Sequence, residues 1–385
     1  MNKTKIKNLA KQIRGVSYKP KDLHDSLDGD SVILLRANNI DDGRINFDDV
    51  VYVDKSKVAD EQYLRVGDVL ICASSGSKQL VGKAASVEFD LPCTFGAFCK
   101  VVRPNEGMAD YLSTYFQSNR YRRRISELAI GANINNIRNE HIDSLELPVY
   151  DSKDSHCIIE RTRLLQSVID NRKEELCKLN ELVKSRFVEL MTNAELNEET
   201  TLDCVTKRVK VGFVGKCEKY YTDSSGIPML RTGNITKTGI DMTELKYVTK
   251  SFHEKNKKSQ IHSGDLLIAR HGSNGQANVY HGPEAQCLNA VVIVPDENIV
   301  TSVFLAGLIN SPSVKSQIDK TSVGSTQHVV NTKSIASLKV RIPSLSVQSE
   351  YELFVQQIDK LKVEVQKSLD KTQMLFDSLM QEYFG

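Results

Sequence analysis

Gly67-Asp68-Val69-Leu70-Ile71 returns as Gly264-Asp265-Leu266-Leu267-Ile268, 197 residues further along the chain. Working outward from this pair, other matches appear in the same order. Leu35-Arg36-Ala37-Asn38-Asn39-Ile40 corresponds to Leu230-Arg231-Thr232-Gly233-Asn234-Ile235, and Tyr52-Val53 to Tyr247-Val248, both at an offset of 195. Downstream, Gly131-Ala132-Asn133 corresponds to Gly324-Ser325-Thr326 at 193, and Leu147-Pro148 to Ile342-Pro343 at 195. Five collinear matches at nearly constant offset, about half of a 385-residue chain, are a tandem duplication.

Each copy has the same plan. Short β-like runs at 32–35, 50–53 and 69–72, broken by Gly and Asp turns, predict strands in the first part. One helix is expected over 109–128 in copy one and over 302–318 in copy two. Each copy then closes with a periodic stretch free of Gly and Pro. Positions 158, 162, 165, 169, 172, 176, 179, 183, 186 and 190 alternate in steps of four and three, and seven of the ten are apolar. The positions 193 residues later are eight-tenths apolar in the same register, which is the seam of a coiled coil. Leu165, Ile169, Leu176, Leu179 and Val183 are the expected pairing residues on one helix, and Ile358, Val365, Leu369, Phe376 and Leu379 on the other. The predicted fold class is α+β. Two similar globular domains in tandem repeat, 1–150 and 196–345, are separated by helical regions 151–195 and 346–385, whose long helices pair as an antiparallel coiled coil.

Composition bounds the function. Forty per cent apolar and 26% charged residues exclude disorder along the whole chain. No apolar run approaches the ~18 residues of a membrane span, and Met1-Asn2-Lys3-Thr4-Lys5 opens no apolar signal region. Eight cysteines without a CxxC pair read as reduced thiols, mostly buried, of a cytoplasmic protein with no metal site. The net charge of +2 is uneven: the globular parts sum to +6 and the helical parts to −4. A polyanion therefore suits the globular parts.

Signs of catalysis are missing. Gly76-Ser77-Lys78-Gln79-Leu80-Val81-Gly82-Lys83-Ala84 has five residues where a Walker A loop needs four, and Ala84 where Mg²⁺ needs Ser or Thr. There is no Gly-x-Gly-x-x-Gly, no Asn-Pro-Pro-Tyr, and no nucleophile elbow or HExxH pair around His271 and His281. What remains are features suited to DNA. Arg120-Tyr121-Arg122-Arg123-Arg124 puts four guanidiniums on a predicted helix, able to reach phosphates from one face or to form a solvated basic face. Lys255-Asn256-Lys257-Lys258 is a weaker basic stretch in a polar loop. After each Gly-Asp-Val/Leu-Leu-Ile strand comes a polar turn, Ser74-Ser75-Gly76-Ser77-Lys78-Gln79 and Arg270-His271-Gly272-Ser273-Asn274-Gly275-Gln276. Arg, Asn, Gln and His can hydrogen-bond base edges, and glycines permit close approach. The two turns occupy equivalent places and differ in side chains, as two readers of different sequences would, or as loop drift would.

The stretch Thr321-Ser322-Val323-Gly324-Ser325-Thr326-Gln327-His328-Val329-Val330, running through Ile335 and Leu338 to Ile342-Pro343 and Gln348, resembles the close of a target-recognition domain in the specificity subunits of type I restriction–modification enzymes. The runs at 264–268 and 230–235 and the ending Glu382-Tyr383-Phe384-Gly385 are similar to the same family, and the resemblance covers the whole chain. Copy one departs from it, with Gly131-Ala132-Asn133-Ile134-Asn135-Asn136 in place of Gly-Ser-Thr-Gln-His-Val and His156 near the place of Gln348.

The resemblance implies a subunit without catalytic residues or a cofactor of its own. Each recognition domain reads one half of a split double-stranded DNA target, and the helical pair fixes the spacer. The implied partners are methyltransferase subunits, two in number, and restriction translocase–nuclease subunits, with S-adenosylmethionine and ATP bound only there; no membrane is implied. Candidate DNA contacts are Arg36, Asn38, Ser75, Lys78, Arg120, Arg122, Arg123, Arg124, Asn133 and Asn135 in copy one. In copy two they are Arg231, Asn234, Arg270, His271, Ser273, Asn274, Gln276, Ser325, Thr326, Gln327 and His328. The competing readings are a coiled-coil scaffold whose two β-rich domains bind only proteins, and an enzyme of unfamiliar type.

Overall fold

The computed structural model describes residues 3–77, 79–128, 135–236, 239–270, 275–321 and 332–385. The chain forms two compact units, Met1–Lys173 with Lys367–Gly385, and Glu174–Gln366.

In the first unit, β1 (Ala10–Arg14), β2 (Leu23–His24), β3 (Ser31–Leu35), β4 (Val51–Asp54), β5 (Val69–Cys72), β6 (Ala84–Ser86), β7 (Cys93–Phe95) and β8 (Cys99–Pro104) build two four-stranded sheets. One is antiparallel, ordered β6-β5-β8-β1. The other is ordered β7-β3-β4-β2 and contains a parallel pair, with Ile33, Leu34 and Leu35 facing Cys93, Thr94 and Phe95. All four residues of β5 are buried, which is why its sequence is a continuous apolar run rather than an alternation. Helices α1 (Ala109–Phe116) and α2 (Asn119–Leu128) follow, and then the long α3 (Ser152–Asn193).

The second unit repeats the plan. Its strands are β9 (Thr206–Val211), β10 (Tyr221–Thr222), β11 (Ile227–Arg231), β12 (Lys246–Val248), β13 (Gln260–Ile261), β14 (Leu266–Ala269), β15 (Ala277–Val279), β16 (Ala285–Leu288) and β17 (Ala290–Pro295). The antiparallel sheet runs β15-β14-β17-β9, and the second sheet β10-β12-β11-β16-β13. Met229, Leu230 and Arg231 lie parallel to Gln286, Cys287 and Leu288, the counterpart of the pair in the first unit. The helices α4 (Ser302–Asn310) and α5 (Pro312–Thr321) follow, and then α6 (Leu345–Phe384), which lies in this unit up to Gln366, as α3 does from Glu174 on.

The single helix expected over 109–128, and over 302–318, is in each case two. In copy one the Ser118 hydroxyl accepts the Tyr121 N–H at 3.1 Å and so caps a new helix. In copy two Ser311 is extended before Pro312, whose ring is excluded from a helix interior but suits a first turn. The Lys255 to Lys258 stretch also differs from the polar loop expected: Lys255 ends a short helix, Lys250–Lys255, and Lys257 opens a 3-10 turn.

All twenty seam positions of α3 and α6 are buried or half-buried. In the first unit Ile158 and Ile169 of α3 share a core with Phe376, Met380, Tyr383 and Phe384 of α6, and Leu165, Leu369 and Leu379 pack against it. In the second, Leu179 packs with Ile358 and Val365, flanked by Leu176 and Val183. There Phe187 meets Tyr351 with ring centroids 5.3 Å apart and Phe304 at 5.2 Å. Within that unit the contacts descend along α6 as they ascend along α3, so the helix segments run antiparallel. Seam steps of four and three bury Thr162 and leave Arg172 half-buried, and the Thr162 hydroxyl is satisfied by the Ile158 carbonyl at 2.8 Å.

The cysteines are all free: Cys72, Cys93, Cys99, Cys217 and Cys287 are buried, Cys157 is half-buried, and Cys177 and Cys204 are exposed. Among the described residues no helix is long and apolar enough to cross a membrane.

Candidate nucleic-acid interface

The repeated Gly-Asp motif is a turn that launches the central strand of each antiparallel sheet. Gly67 and Gly264 take φ of +88° and +97°, values that side chains resist. Asp68 accepts the Arg65 N–H at 2.9 Å and Asp265 the His262 N–H at 3.0 Å, closing the turn. The two aspartates then diverge. Asp68 is 1% exposed and receives Arg103 Nε at 2.8 Å and Nη2 at 2.7 Å. By strand register the place of Arg103 belongs to Val294 in copy two, since Val69 faces Val102 and Leu266 faces Ile293.

Asp265 therefore lacks that ion pair, and burial pushes its carboxyl above the usual range, opposed by the His262 N–H and the charge of Lys210. A carboxyl whose folded pKa is raised costs the folded state nothing below its unfolded value of 3.8 and progressively more as pH rises through the folded value. Asp265→Asn, which keeps an acceptor for the turn, is expected to gain melting temperature over the parent as pH rises from about 4 to about 8. A difference that does not vary with pH would show that this carboxyl is not strained.

Beyond these strands lie the polar loops. In the first unit, Ser74 and Ser75 pair as a short antiparallel strand with Asn136 and Asn135, and Ile137 N–H reaches the Ala73 carbonyl at 2.8 Å. Two stretches read separately in the sequence are thus one surface. The chain continues through exposed Gly76, Ser77 and Gln79 and returns at Gly82, φ +80°, whose N–H binds the Cys72 carbonyl at 2.8 Å. Arg122 of α2 donates to the carbonyls of Gln79 at 3.0 Å and Val81 at 3.1 Å.

In the second unit, Arg270 donates to the Asn289 side chain at 3.0 Å. Gln276 Oε1 accepts Lys315 Nζ of α5 at 3.0 Å. Ala277 is held at both backbone atoms by Asn310, at 2.9 and 2.8 Å.

The arginine cluster does not form one basic face, which corrects the sequence reading. Tyr121, interleaved with these arginines, is fully buried, and burial drives its hydroxyl far above the ordinary phenol range. Arg120 turns to the carbonyls of Phe384 and Gly385 at 2.6 and 2.5 Å, Arg123 to Gln381 at 3.0 Å, and Arg124 to Glu127 at 3.2 Å. With Lys5, Glu127 and Glu146, three of these arginines line a cleft of about 560 Å³ of mixed charge. Helix spacing gave the residues' proximity, but not the packing that sends them apart.

The Leu-Arg runs need a similar correction. Asn234 is 4% exposed; its Oδ1 accepts the Arg231 N–H at 3.0 Å and its Nδ2 donates to the Asp241 carbonyl at 3.1 Å. It is a turn residue turned inward, as Asn39 is in copy one. Arg36 reaches back to the Asp49 carbonyl at 3.2 Å and Arg231 to the Glu244 carbonyl at 3.3 Å, the same link in both copies. Asn38 joins Arg36 on Asp49 at 2.8 Å. Ser75 is half-exposed in the paired strand. Lys78, Asn133, His271, Ser273, Asn274, Ser325, Thr326, Gln327 and His328 lie outside the described residues, and of Asn135 only the backbone is described. Sequence reasoning missed Asn289, Asn310 and Lys315. Lys315 had a signal, since it stands 193 residues after Arg122, the offset that joins the two helical seams.

Residues 207–372 match the family model described as type I restriction modification DNA specificity domain. Over 399 aligned residues, 97% of this chain and 86% of the relative, the sequence is 27% identical to the type I restriction enzyme EcoKI specificity subunit of Escherichia coli (strain K12). It is likewise 27% identical over 400 residues to the StySPI specificity subunit of Salmonella potsdam, covering 97% of this chain and 86% of that one. The fold is shared with the type I restriction–modification S subunit from M. genitalium at a TM-score of 0.54 and 14% identity, over all of this chain and 96% of the other. Residues 207–372 thus carry the match to the type I specificity domain, and along its whole length the chain, with its duplicated two-sheet fold and paired helix segments, is similar to type I restriction–modification specificity subunits.

Proposed function

We propose that this chain is the DNA-recognition subunit of a type I restriction–modification assembly, reading a bipartite double-stranded target with one half assigned to each globular part. In this reading 1–150 and 196–345 are the recognition domains, and the helical regions 151–195 and 346–385 set the spacer between half-sites. The observation that carries it is the repeated placement of a polar, glycine-bearing loop after the Gly-Asp turn and its buried strand, on one scaffold with two different sets of side chains. A common scaffold gives both readers the same backbone approach, and differing side chains give each its own bases. The chain does no chemistry itself. Methyl transfer and DNA cleavage belong to two methyltransferase subunits and to restriction translocase–nuclease subunits, which bind S-adenosylmethionine and ATP. Leu164 and Met374 in the first unit, and Leu182 and Leu361 in the second, are at least half exposed outside the seam and are apolar side chains that a partner subunit would cover.

The test is mapping of methyladenine across the host genome, with and without this gene, and with its methyltransferase partner present. The expected result is a split motif with a fixed gap that vanishes on deletion. No change in methylation, despite a stable complex, would instead favour a protein scaffold. A substitution such as Gln276→Ala is expected to relax one half of the motif and leave the other intact. An unaltered motif would remove Gln276 from base recognition.

A further inference from the structure

We propose that Arg122 and Lys315 are positioning residues, a pair of repeated clamps that fix the two recognition loops from behind, rather than phosphate contacts. This rests on the reading above that those loops meet DNA. Each residue is the fourth of a ten-residue helix, α2 or α5, at the same point of its repeat. Each carries its cation to the loop that follows the buried strand β5 or β14.

In copy one the guanidinium bridges two carbonyls, Gln79 and Val81, two residues apart. The loop's exit is pressed onto the same helix: a Cβ on Gly82 would lie 2.5 Å from Ile125 Cγ2 and 3.1 Å from Arg122 Nη1. In copy two the ammonium holds the Gln276 amide oxygen, beside the Asn310 side chain that fastens Ala277. The chemistry differs in a telling way. A guanidinium presents its donors in a fixed planar fork that spans two carbonyls here, whereas an ammonium carries three donors on one compact, freely rotating head.

The physical need is clear. Gly76, Ser77 and Gln79 are exposed and bury no apolar surface, so nothing in their own side chains orders the loop before binding. Ordering such a segment on the DNA would subtract from affinity, and a clamp made in advance removes that cost. Both cations are engaged by the protein. A phosphate contact would require them to leave these partners.

The experiment uses the full chain in its complex with methyltransferase subunits. Arg122→Ala, Arg122→Lys and Lys315→Ala are compared with the parent on duplexes that contain or lack the mapped motif, over a range of salt. The clamp predicts that Arg122→Ala loses roughly tenfold in affinity for the specific duplex. Binding to non-specific duplex and the slope of affinity against salt should stay unchanged, with Arg122→Lys recovering only part, since its ammonium keeps the charge and loses the rigid fork. A slope lowered by about one, with equal loss on both duplexes, would make Arg122 a phosphate contact and overturn the proposal. A parent complex that does not distinguish the duplexes would overturn the recognition reading itself. A second measurement needs no DNA. In Arg122→Ala the amides of Leu80 and Gly82 should exchange faster while those of Ile71 and Val101 keep their protection, and unchanged exchange at Leu80 and Gly82 would sink the clamp.

Discussion

Asp68→Ala is expected to destabilise the first unit by about 3–5 kcal/mol, because it leaves Arg103 as an uncompensated buried cation. Both groups are inside, Asp68 at 1% and Arg103 at 8% exposure. The guanidinium is satisfied by both carboxylate oxygens and by the carbonyls of Glu61 and Tyr63 at 3.2 and 2.7 Å. The loss should be concentrated in one unit. Hydrogen exchange in the full chain would show residues 69–72 opening earlier while residues 266–269 keep their protection. The double variant Asp68→Ala with Arg103→Val, whose valine is the residue copy two carries at Val294, should recover most of the stability, because it removes the stranded charge together with its partner. If Arg103→Val in the Asp68→Ala background gives no recovery, the pair is not the source of the effect, and the turn hydrogen bond from Arg65 would carry it instead.

That contrast between two copies of one motif shows how far the sequence could be read. The Gly-Asp turns, the strands that follow them and the shared seam were all legible, because each depends on local pattern: a glycine where φ must be positive, an apolar run where both faces are covered, apolar steps of four and three. The destinations of polar side chains were not. Four arginines within five residues announce charge, yet the packing of α2 sends Arg122 to a loop about forty residues earlier in sequence and Arg120 to the end of α6. Asn234 reads as a base-recognition side chain by type, and it is buried because its amide mimics a backbone turn. The break at Ser118 was equally hidden, since a serine in a helical run is a cap only if its hydroxyl finds a free N–H. Repetition is the remedy the sequence did contain: aligning the copies pairs Asn39 with Asn234 and Arg122 with Lys315, and a polar residue that recurs at a fixed offset is more informative than its type alone.

The helix pairing yields the second large effect. Leu179 is 8% exposed and packs with Ile358 and Val365 in the second unit, so Leu179→Asp places an unpaired charge among apolar side chains and is expected to cost about 3 kcal/mol or more. Leu182→Asp is the internal control. It lies on the same helix three residues away, carries the same change of side chain and helix propensity, and is 50% exposed, so its cost should stay within about 0.5 kcal/mol. Unfolding by denaturant, followed by helix content, would measure both. Equal costs would mean that the seam residue is no better buried in solution than its neighbour, and the paired segments would have to be abandoned as the source of stability. The consequence for recognition is separable from stability. In the proposed reading, a spacer that holds its two helices together converts two half-site affinities into one through effective concentration. Leu179→Asp, assayed below its unfolding midpoint, should therefore lose affinity for the complete motif while each half-site alone binds as before. Equal losses on whole and half sites would place the damage in the recognition loops rather than in the spacer.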